Sequence, residues 1–249
     1  MGFFLFGTFI PYYGFFIVIG IVCAFVLGFA LCKKLELNTD DFILLCAELI
    51  AFGFVGAKVL YIMLSINQID FAIVFSSMYN FNLFLGSGFI FYGGILGGLI
   101  ALFFAQRIHG IRIDVYANVI SPCVALAHAF GRIGCALVGC CYGKETSSFL
   151  SVMYKKSFIA PNEISLIPVQ VIESLCLFFL VAILSFLLLR KKVKNVWLVY
   201  LFIYSILRFF LEFLRGDYIR GLYGVVSTSQ IISLLIIIGI VLHRNLKSY

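Results

Sequence analysis

Seven separate apolar runs, each near the length that crosses a bilayer, constrain this chain more than any other feature. They lie at roughly 12–32, 41–64, 89–106, 116–141, 168–189, 195–215 and 225–243. A hydrocarbon core takes about 20 helical residues per crossing. The expectation is an all-α polytopic membrane protein forming one domain over residues 1–249. Only 12% of residues are charged, where a soluble domain carries about 25%. A soluble globule is therefore excluded. The net charge of +7 does not point to nucleic acid, because the cations sit in short segments between the runs.

Those cations predict orientation instead. With the N-terminus outside, the inner segments hold Lys33, Lys34, Arg107, Arg112, Arg190, Lys191, Lys192, Lys194, Arg244 and Lys247. The outer ones hold Lys144, Lys155, Lys156, Arg215 and Arg220. Ten against five predicts N-out and C-in. The first residues lack a basic stretch and a small-residue cleavage site, so they are expected to be retained. Segments 65–88 and 142–167 contain no full span and are expected to form interfacial helices or lids. Gly93, Gly94, Gly97 and Gly98 fall on helical spacing and predict close helix packing. The eight cysteines are mostly single and within apolar runs, which argues against a secreted disulfide framework.

Charge inside a span is costly and marks a functional-site hypothesis. Lys58, Arg132 and Arg208 are the basic residues within spans; Glu48, Glu173 and Glu212 are the acids. Equal numbers suggest internal pairing. By the predicted orientation all but Glu48 fall toward the outer side, with Gln170 and with Tyr12, Tyr13 and Tyr92 at span starts. Arg208, Glu212 and Arg215 continue one helix face. His128 lies four residues before Arg132, on the same face. The plain reading is that such charges lock helices together. Two arginines with a histidine and tyrosines at one depth also make an anion site, since the guanidinium fork suits phosphate. A phospholipid headgroup is the phosphate most available there.

Six stretches, in order along the chain, now resemble one family. Residues 131–143, Gly-Arg-Ile-Gly-Cys-Ala-Leu-Val-Gly-Cys-Cys-Tyr-Gly, align without a gap to a signature reading Gly-Arg-Ile-Gly-Asn-Phe-Ile-Asn-Gly-Glu-Leu-Trp-Gly. Ile10-Pro-Tyr-Tyr-Gly14 and Gly56-Ala-Lys-Val-Leu-Tyr61 fit its aromatic-Tyr-Gly and Gly-Ala-Arg-x-x-Tyr elements. Phe91-Tyr-Gly-Gly94 and Pro168-Val-Gln-Val-Ile-Glu173 fit Phe-His-Gly-Gly and Pro-x-Gln-x-x-Glu. Arg208-Phe-Phe-Leu-Glu212-Phe-Leu-Arg215, followed by Ser229-Gln230, fits the closing Arg-x-x-x-Glu-x-x-Arg and Gln elements. The chain resembles the bacterial prolipoprotein diacylglyceryl transferases.

The resemblance implies transfer of a diacylglyceryl group from phosphatidylglycerol to the lipobox cysteine of a preprolipoprotein, with no cofactor. It implies Arg132 and Arg208 as phosphate clamp, with His128 and Tyr92 as further catalytic candidates. Glu212, Tyr13, Gln170, Glu173, Lys58, Arg215, Gly134 and Gly139 are the implied substrate-binding residues. It also implies a monomer in the bacterial inner membrane, with its site toward the outer face and its partners the lipid, the signal peptide and the bilayer.

The chain departs from the pattern. Cys135 replaces the signature asparagine, Val138-Gly139-Cys140 replaces Asn-Gly-Glu, Tyr92 replaces a histidine, and Lys58 replaces an arginine without its fork. His128 is positioned to serve as base in its place; as a helix histidine it also fits a packing role. The altered wall leaves open an enzyme with a different acceptor, and a lipid-binding or transport protein. Cys135, Cys140 and Cys141 admit a thiol relay, a redox pair, a metal site or packing. Their spacing lacks the paired pattern of zinc sites, so packing sulfur and no metal are expected.

Overall fold

The computed structural model describes residues 1–5, 8–191, 193–217, 222–223 and 226–246. Lys192, Arg220 and Lys247 of the orientation argument lie outside the described residues. A hairpin of β1 (Gly2–Leu5) and β2 (Thr8–Pro11) leads into α1 (Tyr12–Lys34). Then come α2 (Thr39–Ser65), α3 (Phe71–Val74), α4 (Met78–Gly86), α5 (Phe91–Ile108) and α6 (Ile113–Val138). Two two-residue strands follow, β3 (Val152–Met153) and β4 (Ser165–Leu166). The chain closes with α7 (Val169–Leu189), α8 (Val196–Leu211), a 3-10 turn (Glu212–Leu214), β5 (Leu222–Tyr223), β6 (Val226–Ser227) and α9 (Thr228–Leu246).

Every predicted span corresponds to a helix, with boundaries shifted by a few residues. Five helices, α1, α2, α6, α7 and α8 with its 3-10 turn, are long and apolar enough to cross a membrane; α5 and α9 supply shorter apolar stretches. The protein is a multi-pass helical membrane protein. Its helices keep large apolar side chains such as Phe179 and Leu235 outward, as lipid contact requires.

The fold forms two compact units, Met1–Leu35 with Ala117–Tyr249, and Glu36–Tyr116. The second unit is built on α2 and α5, and its packing is set by missing side chains. A Cβ on Gly97 would stand 2.0 Å from the Phe52 carbonyl oxygen, and one on Gly93 2.3 Å from that of Gly56. These two glycines therefore form the close-contact line, while Gly98 has only an ordinary contact at 3.9 Å. Segment 65–88 folds as α3 and α4, capped by Asp70 and Ser77. Glu48 pairs with His109 at 2.9 Å. The pairing thus recruits a histidine at the end of α5 rather than a base within a span.

The first unit packs α6, α7 and α8 around Ala125, Ala129, Leu177, Leu180, Leu184 and Val196. The α7 stripe repeats at helical spacing because one face is buried along its length. α1 meets α6 through Gly20, where a Cβ would approach Phe130 Cβ to 2.9 Å. Segment 142–167 holds no helix, contrary to one expectation. It forms the β3–β4 pair around Tyr154, Ala160 and Leu166. An antiparallel bridge from Gly143 to Arg215 ties it to the end of α8.

Candidate active site

α6 and α7 place a carboxylate opposite a basic pair. His128 and Arg132 are one helical turn apart, so both project toward Glu173. Arg132 Nε lies 3.0 Å from Glu173 Oε2 and donates to His128 Nε2 at 3.2 Å. As acceptor, that imidazole nitrogen carries no proton. The Tyr204 hydroxyl donates to Glu173 Oε1 at 3.2 Å, and its ring meets His128 edge-on at 5.3 Å. Glu173 is 1% exposed, and Arg132 and the Tyr204 hydroxyl satisfy a charge that burial would otherwise penalise.

α8 carries the second basic group. Tyr200, Tyr204 and Arg208 recur every four residues on one face, with the two tyrosine rings stacked. Arg208 Nη2 lies 2.6 Å from Glu212 Oε2 and donates to Ser229 Oγ at 3.0 Å. Arg208 Nη1 is buried and has no hydrogen-bond partner among the described residues. Glu212 also takes Arg215 at 3.7 Å, and Arg215 is forked onto Asp217 through Nε and Nη2.

Ser229 is held by the start of α9. Ser227 Oγ accepts from the Gln230 amide at 3.2 Å, and Gln230 Oε1 accepts from the Ser227 amide at 3.0 Å. This reciprocal capping box satisfies two amides that a helix start leaves unpaired. Gln230, which the sequence marked only by resemblance, thus has a structural task.

Gln170 is 1% exposed and joins α7 to the turn after α6. Its Nε2 donates to the Cys140 carbonyl at 2.8 Å, and its Oε1 has no partner among the described residues. Tyr154, whose phenol burial pushes above its ordinary value, donates to the Ala136 carbonyl at 2.8 Å. Gly134 gives close passage between α6 and α1: a Cβ would stand 3.2 Å from Tyr13 Cα. Gly139 has φ +84° and a Cβ there would meet Ser157 Oγ at 2.6 Å. Both glycines therefore shape the backbone around the site.

The first unit thus brings together His128, Arg132, Glu173, Gln170, Arg208, Glu212 and Arg215, with Tyr13 beside Gly134. Tyr92 and Lys58 belong to the second unit. There Lys58 Nζ donates to the carbonyls of Phe84 and Ser87 at the end of α4, and it lies 3.8 Å above the Phe84 ring. It is engaged by a helix C-terminus and a ring rather than by an intramembrane acid. Sequence reasoning missed Tyr204, Tyr154 and Asp217. The four-residue repeat from Tyr200 to Glu212 is the signal that finds the first; nothing local announces the other two.

Apolar helices enclosing paired, buried arginines and carboxylates define an integral membrane protein. The chain belongs to the prolipoprotein diacylglyceryl transferase family, whose model matches residues 2–244. It is 36% identical over 98% of its length to phosphatidylglycerol–prolipoprotein diacylglyceryl transferase 2 of Clostridium perfringens, covering 93% of that protein. It is 40% identical to the phosphatidylglycerol–prolipoprotein diacylglyceryl transferase of Clostridium tetani, over 95% of this chain and 93% of that one. A Clostridioides difficile relative of the same name is 29% identical over 96% of this chain and 91% of its own. The protein is a transferase of this family.

Proposed function

We propose that this chain transfers the diacylglyceryl group of phosphatidylglycerol to the lipobox cysteine thiol of preprolipoproteins. A thioether forms and glycerol phosphate leaves. The observation that carries the reading is Arg208. Its guanidinium is buried, one arm is held by Glu212 and Ser229, and Nη1 lacks an acceptor among the described residues. A buried donor without a partner is costly, and a phosphate oxygen supplies the missing acceptor.

Arg132 is the second arm of the clamp. Its contacts to Glu173 and His128 run through Nε, and the terminal nitrogens are assigned to the headgroup. Charge grows on the phosphate as the carbon–oxygen bond breaks, so fixed cations favour the transition state. Glu173 and Glu212 position the two arginines. His128, acceptor at Nε2, is the candidate base for the incoming thiol. Tyr13 and Gln170 border the headgroup, Arg215 steadies Glu212, and Gly134 and Gly139 leave room for close backbone approach. Tyr92, as a catalytic candidate, and Lys58, as a substrate-binding one, belong to the second unit. Residues 1–249 act as one domain and as a monomer, since one chain supplies both arginines. The site opens toward the outer face of the bacterial inner membrane, with N-out and C-in, which the excess of inner cations supports.

The test is transfer of labelled diacylglycerol from phosphatidylglycerol to a lipobox peptide by the purified protein, read by mass spectrometry. Labelled thioether product is expected. Lipid binding without product would leave a binding or transport protein instead.

A further inference from the structure

Cys135 lies in the last turn of α6, and Cys140 and Cys141 follow in the turn beyond it. Their three Sγ atoms all lie within 4.8 Å of one another. The spacing alone argued for packing sulfur; backbone geometry is what gathers the thiols. Gly139 at φ +84° and Cys141 at φ +57° are both left-handed and flank Cys140, curling the chain back on the helix end. Only glycine adopts such angles readily. A cysteine there is held by its surroundings, a kind of strain that concentrates at functional sites. The surroundings are visible. Gln170 fixes the Cys140 carbonyl, and the Gly216 amide donates to the Tyr142 carbonyl at 2.9 Å. All three sulfurs are free thiols, and Cys140 and Cys141 are partly exposed, which gives an ion access.

We propose that Cys135, Cys140 and Cys141 form a trithiolate site for a zinc-class cation, with the fourth position left to an external ligand. Zinc bound by thiolates at ~2.3 Å in tetrahedral geometry needs sulfurs ~3.8 Å apart. The observed Sγ atoms, all within 4.8 Å of one another, lie close to that spacing. Zinc sites with three protein ligands keep an open fourth position, whereas structural ones close it. Three thiolates and one divalent cation leave a single negative charge, and Arg132 and Arg215 both attract Cys141 electrostatically. The Gln170 hydrogen bond to the Cys140 carbonyl is the kind of outer contact that holds a metal ligand in place.

Resting on the function proposed above, the fourth ligand is the acceptor's own thiol. It loses its proton to His128, the base named above, and binds as thiolate. Its electron pair then forms the sulfur–carbon bond as the carbon–oxygen bond to phosphate breaks and the phosphate leaves as an anion. The site would thus stabilise the thiolate that His128 generates.

The experiment uses the full-length protein in detergent, stripped with chelator, then titrated with zinc chloride alone and, separately, with cobalt chloride. Stoichiometric zinc is expected, and cobalt should give the thiolate charge-transfer and tetrahedral ligand-field bands. Cys135→Ser and Cys141→Ser should lose both signals, while Cys176→Ser retains them. The cobalt spectrum of the unmutated protein decides the matter even where a variant fails to fold. Absence of thiolate bands, or a disulfide between two of the three cysteines found by thiol titration, overturns the site. Metal binding is read without activity, so a failure of lipid transfer tests the proposed function separately. Zinc bound with transfer to the peptide indifferent to its removal overturns the fourth-ligand role.

Discussion

Arg132 of α6 and Glu173 of α7 meet at 3.0 Å, and the same carboxylate receives the Tyr204 hydroxyl from α8. Three helices therefore converge on one buried acid. The acid is not a spare partner for a charge. It sets where the guanidinium stands and which of its nitrogens face away.

Removing that acid should be costly. Glu173→Gln keeps the shape and deletes the charge, leaving Arg132 without its counter-ion. Breaking a buried pair from one side costs about 3 kcal/mol or more. Thermal unfolding in detergent should show a clear drop, and transfer to a lipobox peptide should fall in kcat as well as KM.

The two arginines should differ from ordinary structural cations in how little lysine restores. Arg208→Ala is expected to lower transfer by about 100-fold or more, as loss of a preorganised charge contact does. Arg208→Lys keeps the charge and loses the fork. It should recover stability without recovering rate. Full activity in Arg208→Ala and Arg132→Ala would remove the clamp from the account.

Tyr204→Phe separates positioning from packing. The ring stays against His128, and one hydrogen bond to Glu173 disappears. A net loss of about 1 kcal/mol in stability is expected. A shift in the pH–rate profile, with the fold intact, would place Tyr204 in control of the His128 surroundings.

The second unit offers a steric test. Gly97→Ala would drive a methyl group into the Phe52 carbonyl at 2.0 Å, whereas Gly98→Ala meets only an ordinary contact. The first should destabilise by about 3 kcal/mol and the second by well under 1 kcal/mol, as overpacked and open sites differ. Equal melting temperatures for the two variants would contradict the contact line.

The helices and the arginine–acid pairs were legible in the sequence because apolar length and intramembrane charge are strong signals. Arg208 with Glu212 follows from four-residue spacing alone. The remainder depends on contacts that spacing does not carry. Strands β3 and β4 are two residues each and exist because Tyr154 and Leu166 share a small cluster. Lys58 turns to α4 because carbonyls at a helix end attract a cation. The meeting of three thiols needed a left-handed cysteine, and cysteine has no preference that announces one.

The first unit is assembled from both sides of Glu36–Tyr116. A ribosome adding about 5–20 residues per second completes that intervening stretch before the surface for α1 exists. The helix carrying Tyr13 and Gly20 is therefore made seconds before α6, its partner at Gly20. The unit that carries the arginine–acid pairs is thus the last to be completed during synthesis, and truncated chains ending before α7 lack Glu173, the acid that Arg132 meets.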